Sequence, residues 1–136
     1  MDIDWLRRKC LVFPHVTEQV QWSHALVFKI GGRMFAVGSL EPGATWLSFK
    51  CSDESFAELT ERPNVIPAPY LARAKWVALE TRDAISQTEL AELLRAAYDL
   101  IFAKLSKREQ ESLKGTAKPT RKPRKNSGGR RKPTKS

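Results

Sequence analysis

The composition of the chain changes sharply after Leu113, and this change limits which residues can form a folded core. Beyond Leu113 the 136-residue chain has no apolar side chain larger than that of Ala117. Such a segment buries too little apolar surface to offset the entropy lost on ordering it. We therefore predict one folded domain over residues 1–113 and a disordered basic tail over residues 114–136.

The excess of positive charge lies entirely in this tail. The chain carries 24 Lys and Arg against 15 Asp and Glu, a formal charge of +9. Ten of the basic residues fall within 114–136, where there is no acidic residue, so residues 1–113 keep 14 basic and 15 acidic side chains. We expect the tail to bind a polyanion, while the domain is close to neutral.

Cysteine usage and hydropathy indicate the compartment. Cys10 and Cys51 form no CxxC pair and lie among apolar residues, so buried thiols in a reducing compartment are expected. No stretch approaches the ~18 apolar residues that span a membrane, and the N-terminal residues lack the apolar run of a signal peptide. The sequence predicts a cytoplasmic protein, and the basic tail could attach it to the nucleoid.

Three segments have helical patterns. Residues 2–13 show the spacing of a short amphipathic helix that Asp2 can cap. A second short helix is predicted over residues 53–62. Ser86 and Glu89 form an S-x-x-E capping box ahead of a long apolar stripe, which predicts the last helix of the domain.

The middle of the chain has the pattern of strands. Gly31 and Gly32 separate two apolar runs and predict a β-hairpin, because a tight turn of this hand needs positive φ at both central residues. Further strands are predicted at 45–51 and 74–80, with an extended connection through the prolines at 67–69. The fold class is therefore α+β, with an antiparallel meander that buries one side.

Motifs for catalysis are absent from the sequence. It contains no glycine-rich phosphate loop and no nucleophile elbow. His15 and His24 have no partner at a metal-ligand spacing, and Cys51 lies in a predicted core strand. We expect no enzyme, no metal and no cofactor. An unrecognised enzyme would need a cleft that joins one of the histidines to a carboxylate with a shifted pKa.

Strand alternation predicts that Trp46 lies outside the core, unlike the other aromatic residues. It shares a strand face with Ser48 and Lys50, opposite Leu47 and Phe49. If that face is open, an exposed tryptophan needs a functional reason, and we predict a stacking residue here.

Four stretches resemble, in order and spacing, the MmcQ/YjbR family of bacterial proteins over about residues 3–108. The resemblance implies a CyaY-like fold, in which the N- and C-terminal helices pack on one face of an antiparallel sheet. It also implies a DNA-binding role, since members of the family are described as DNA-binding with a double-wing motif. The matching stretches are VFKIGGRMFA at 27–36, LSFKC at 47–51, YLARAKWV at 70–77, and AYDLI at 97–101 followed by KL at 104–105.

Two features depart from that family pattern. Gln-Trp-Ser at 21–23 stands where a Pro-Phe-Gly-like turn is usual, and the basic tail is an addition. The frataxin-like shape raises iron handling as a rival function, which needs a cluster of carboxylates on the first helix. Here Asp2 and Asp4 are followed by three basic residues at 7–9, so this rival loses its main support.

The sequence therefore predicts a DNA-binding protein that is largely indifferent to base sequence. Proline and charge repulsion keep the tail extended, so that it can reach many phosphates. In the domain, Lys29 and Arg33 flank the hairpin turn as a candidate wing, and Lys50 and Lys75 could extend its surface. The predicted tail contacts are Arg121, Lys122, Arg124, Lys125, Arg130, Arg131 and Lys132.

Other interpretations stay open at this point. The hairpin charges could simply solvate an exposed turn, and the tail could be a solubilising or RNA-binding segment. Alternatively, the domain is a non-enzymatic module for a protein or small ligand, which the tail only localises. We expect DNA rather than RNA as the partner, no membrane, and a monomer.

Overall fold

A computed structural model describes residues 1–116, with side chains described through residue 113. One unit spans residues 1–106 and contains a six-stranded antiparallel sheet, three α-helices and one short 3₁₀ helix. A second unit begins at Lys107 with a further helix, which continues three residues past the predicted domain boundary. The rest of the predicted tail, 117–136, lies outside the described residues.

Along the chain, four strands follow the first helix, and the last two strands lie between the second and third α-helices. The strands lie side by side in the order β1-β2-β3-β4-β6-β5. They are β1 (Thr17–Gln21), β2 (Ala25–Ile30), β3 (Arg33–Ser39), β4 (Leu47–Lys50), β5 (Val65–Pro67) and β6 (Trp76–Leu79). The helices are α1 (Ile3–Leu11), α2 (Asp53–Leu59), α3 (Gln87–Lys104) and α4 (Lys107–Thr116), and the 3₁₀ helix is Ala72–Ala74.

Side-chain caps fix where the helices begin. Asp2 Oδ1 accepts a hydrogen bond from the backbone N–H of Trp5 at 2.9 Å, as the sequence predicts for α1. Ser86 Oγ accepts from the N–H of Glu89 at 3.2 Å and caps α3. The reciprocal half of the predicted capping box is not made, because the Glu89 carboxylate instead accepts two hydrogen bonds from Arg62, at 2.9 and 2.8 Å.

The predicted hairpin is the connection between β2 and β3. Gly31 and Gly32 both have positive φ, 60° and 79°, as a two-residue turn of this hand requires. The short edge strand β5 was missed by the sequence pattern. It ends at Pro67, which a strand tolerates at the edge of a sheet because no neighbour needs its missing N–H there.

A β-bulge in β3 places an aromatic side chain against the helices. The register shifts between Phe28 and Lys29, which leaves Phe35 as the extra residue on β3. The Phe35 ring is fully buried and lies edge-on to Tyr98, at 5.7 Å between ring centroids, and 6.2 Å from the ring of Phe13. One aromatic cluster therefore ties β3 to α3 and to the segment that follows α1.

The two faces of the sheet are covered differently. Helices α1 and α3 pack on one face, where a Cβ at Gly38 would lie 2.6 Å from Leu6 of α1. The opposite face carries a smaller cluster that is covered by the loop after β5. Its buried members are Ala68, Trp76 and Ala78, with Met34, Val37, Ile66 and Leu71 packed around them.

We predict that Gly31→Ala destabilises the protein more than Gly32→Ala. A Cβ at Gly31 would lie 2.8 Å from both Cδ atoms of the buried Leu105, whereas nothing lies within 4 Å of a Cβ at Gly32. Both substitutions carry the cost of a left-handed alanine, about 1–2 kcal/mol, and Gly31→Ala adds the contact with Leu105. Urea denaturation measures both variants, and equal losses of stability would contradict the close approach.

Arg62 joins α2 to α3, and we predict that Arg62→Gln costs about 1 kcal/mol near neutral pH. Its guanidinium binds Glu58 of α2 at 2.7 Å and Glu89 of α3 at 2.8 Å. Solvent keeps this gain small because the Glu89 side chain is 38% exposed. The exposed pair Arg95–Asp99, at 3.3 Å, is the control for the partner carboxylate, and Asp99→Asn, which leaves Arg95 on the Phe13 and Tyr98 rings, should cost less.

The effect of Arg62→Gln should also depend on pH. The hydrogen bonds from Arg62 lower the pKa of Glu89 in the folded protein. The stabilisation is therefore present above the ordinary glutamate pKa of about 4.3 and is lost as the pH falls through the lowered value. Denaturation at neutral pH and near pH 3 should show the difference between wild type and variant shrinking at low pH. A difference that does not change with pH would exclude the ion pair as its cause.

Candidate nucleic-acid interface

Cationic side chains gather at one end of the sheet. Antiparallel pairing brings the β2–β3 turn, the end of β4 and the start of β6 to this end. The close approach of Gly31 to Leu105 places the last turn of α3 there as well. We call this the basic end, and its cations are Lys29, Arg33, Lys50, Arg73, Lys75 and Lys104.

Lys50 is buried beneath the basic end. The prediction that its side chain extends the DNA-binding surface is therefore wrong. The side chain is buried, 8% exposed, and its Nζ donates a hydrogen bond to the carbonyl oxygen of Ala74. Burial lowers the pKa of Lys50, and the positive charges of Lys104 and Lys75 lower it further. Lys104 and Lys75 are therefore close enough to Lys50 to repel its charge.

Lys75 follows the 3₁₀ helix and does not lie in a strand, contrary to the prediction. Its backbone is left-handed, with φ of 63°, and its ammonium group lies 5.0 Å from the centre of the Phe56 ring. The Lys75 carbonyl accepts hydrogen bonds from the backbone N–H of Cys51, at 2.9 Å, and from its Sγ, at 3.3 Å. These contacts fix the connection that leads into β6 beside the end of β4.

Lys29 and Arg33 share the tip of the ribbon, as predicted, but they belong to opposite faces. Arg33 is exposed and pairs with the buried Ile30, whereas Lys29 pairs with Met34. Lys29 Nζ donates to the side-chain oxygen of Gln19 at 3.2 Å. Since the turn itself rests against α3, the hairpin is not a free ribbon that both walls of a groove could enclose.

Two exposed cations of the basic end were not found by sequence reasoning. Arg73 lies in the 3₁₀ helix, and Lys104 is the basic residue in the last turn of α3. A cation in the last helical turn is the usual complement to the helix dipole, so Lys104 had a structural explanation in the sequence. The close approach of Gly31 to Leu105 brings Lys104 to the same end of the sheet as Arg33.

The prediction that Trp46 is exposed is wrong. Its side chain is only 7% exposed, and its indole N–H donates to the carbonyl oxygen of Thr81 at 3.0 Å. The guanidinium of Arg82 lies 4.7 Å from the ring centre and covers it. Among the described residues, the exposed aromatic side chains are those of Trp22 and Tyr70, at 58% and 103%.

A shallow groove of about 350 Å³ lies at the end of the sheet opposite the basic end. Trp22 borders it from the β1–β2 turn, where φ is 54° at Trp22 and 63° at Ser23. Val37, Ser39 and Ser48 also line it. The groove is open and combines the side chains of Trp22 and Trp46 with small polar groups.

The thiols and the carboxylates offer little reactive chemistry. Burial raises the pKa of Cys10 to about 12 and that of Cys51 to about 11, so both stay protonated at neutral pH. Within residues 1–113, no group of three or more His, Cys, Asp or Glu side chains could hold a metal ion. No helix in the described part of the chain is both long and apolar enough to cross a membrane.

The fold defines this protein as an α+β domain in which helices cover one face of a six-stranded antiparallel sheet. The model of the YjbR family matches residues 11–100, and the chain belongs to this family. The chain is 28% identical over 90 residues to protein YbdF of Escherichia coli O157:H7, covering 65% of this chain and 73% of that protein. The crystal structure of protein DR2400 of Deinococcus radiodurans, a DUF419 domain, matches with a TM-score of 0.74 and 29% identity, covering 83% of this chain and 88% of the other.

Proposed function

We propose that this protein binds DNA through phosphate contacts made jointly by the basic end and the tail, with little dependence on base sequence. The observation that carries the proposal is the gathering of Arg33, Arg73 and Lys104, all exposed, at one end of a domain that is nearly neutral overall. Clustered cations create a local positive potential that attracts a phosphate backbone even when the summed charge is close to zero.

The covalent path to the tail starts from the basic end. The chain leaves the first unit at Ser106, two residues after Lys104. The tail supplies ten further Lys and Arg residues between 114 and 136. Tethering two weak phosphate-binding segments raises the effective concentration of the second once the first has bound.

The packing of the hairpin favours contact with the phosphate backbone of DNA over insertion into a DNA groove. Because Gly31 rests on Leu105, the turn is covered on one side. Sequence is read at base edges in the grooves, whereas phosphate contacts carry no sequence information. This geometry supports binding to any duplex, with the salt dependence typical of phosphate contacts.

The groove at the opposite end favours a second candidate function, a binding module for a small ligand. Its volume of about 350 Å³ is near the lower limit for ligand sites, and it combines the Trp22 ring with the polar His24 and Ser39. Binding of a small amphipathic molecule there would broaden or shift the NMR signal of the Trp22 indole N–H. That response in the absence of DNA binding would favour the module over our proposal.

We predict that truncation after Thr116 weakens duplex binding at least about tenfold and lowers the salt slope of log K by several units. The truncation removes nine Lys and Arg residues and keeps every described residue. Fluorescence anisotropy with a mixed-sequence duplex, over a range of salt concentrations, measures both quantities. Unchanged affinity would remove the tail from the proposal.

Within the full-length chain, Arg33→Gln/Lys104→Gln should reduce the salt slope by up to about two units, since each phosphate contact contributes roughly 0.9. The matched control is Arg8→Gln/Arg82→Gln, which removes the same charge. Both control residues act on Asp2, away from the basic end. An equal loss from the two pairs would show that only net charge matters and would reject the basic end as the contact surface.

A further inference from the structure

Tyr70 presents its ring to solvent at the apex of a fixed loop. Its side chain is 103% exposed, and its backbone is left-handed, with φ of 67°. On either side of it, Ala68 and Leu71 pack against Trp76 on the sheet face that α1 and α3 leave uncovered. The ring therefore projects from a loop whose neighbouring residues are anchored.

Backbone hydrogen bonds hold this loop in place. The N–H of Ala68 donates to the carbonyl of Trp76 at 3.0 Å, and the N–H of Trp76 donates to the carbonyl of Leu71 at 3.2 Å. Pro67 and Pro69 further restrict the backbone before Tyr70. A left-handed tyrosine costs free energy that the surrounding contacts must supply, and such residues concentrate at binding sites.

The loop belongs to the basic end. Arg73 is exposed three residues after Tyr70, and Lys75 follows the same 3₁₀ helix. Met34, the register partner of Lys29, packs against the cluster that anchors the loop. The loop that carries the exposed ring consequently lies at the same end of the sheet as cations from two different segments of the chain.

We propose that Tyr70 is a base-stacking residue for single-stranded DNA, with Lys29, Arg73 and Lys75 binding the phosphates on either side of the stacked base. Exposed rings beside cations are the combination that binds single strands without sequence preference, because every base has a π-face. In a duplex the bases are already stacked on each other, so only an unpaired strand can use the ring. This inference rests on the proposed function, since both use the basic end.

The test uses the full-length protein and two fluorescent probes, an oligo-dT strand of about 20 nucleotides, longer than typical single-strand sites, and a duplex of equal length. Tyr70→Ala should weaken oligo-dT binding roughly 5- to 150-fold, the range for losing one stacked base, and should leave duplex binding unchanged. Tyr70→Phe should bind like wild type, because it keeps the ring.

Two controls separate stacking from other effects. Tyr70→Asn also lacks the ring but tolerates left-handed backbone, so it should behave like Tyr70→Ala without added strain. Trp22→Ala removes the other exposed ring, which is 58% exposed and lies at the opposite end of the sheet, and should leave oligo-dT binding unchanged. Thermal unfolding of each variant checks that the fold is retained.

The outcomes distinguish this inference from the proposed function. Suppose that Tyr70→Ala leaves oligo-dT binding unchanged while Arg33→Gln/Lys104→Gln weakens duplex binding. This result rejects the stacking inference and leaves the proposed function standing. A Tyr70→Phe variant as weak as Tyr70→Ala also rejects it, because the hydroxyl would then carry the contact. A wild-type protein that binds neither probe rejects both proposals.

Discussion

The close approach of the β2–β3 turn to the C-terminal end of α3 determines what lies at the basic end. Gly31 permits it because a Cβ at this position would come within 2.8 Å of the Leu105 side chain. The buried stripe of α3 holds the helix along the sheet, so its last turn must end beside the hairpin. The grouping of Lys104 with Arg33 is therefore a consequence of core packing.

The same packing leaves the second face of the sheet to loops. Since α1 and α3 occupy one face, Thr81 and Arg82 cover Trp46 on the other, and Ala68 and Leu71 cover the cluster around Trp76. Anchors this close together hold Tyr70 between them at the apex, where it cannot reach the sheet. An exposed ring and a fixed loop thus arise from one arrangement.

The charges of this domain sum to nearly zero but are unevenly distributed over its surface. Several carboxylates are paired with arginines elsewhere on the surface, Glu18 with Arg7 and both Glu58 and Glu89 with Arg62. These pairs neutralise acidic groups on β1, α2 and α3. At the basic end, by contrast, Lys104 and Lys75 lie close enough to Lys50 to repel its charge. The potential that a polyanion meets depends on this placement and not on the summed charge.

Local patterns in the sequence determined the caps at Asp2 and Ser86, the Gly31-Gly32 hairpin and the α+β class, because each depends on residues a few positions apart. Strand alternation also assigned Trp46 and Lys50 to one face. It could not decide whether that face was open, because Trp46 is covered by Thr81 and Arg82, and Lys50 by the 3₁₀ helix, far along the chain. Burial depends on which distant segments pack together, and only the tertiary structure decides that.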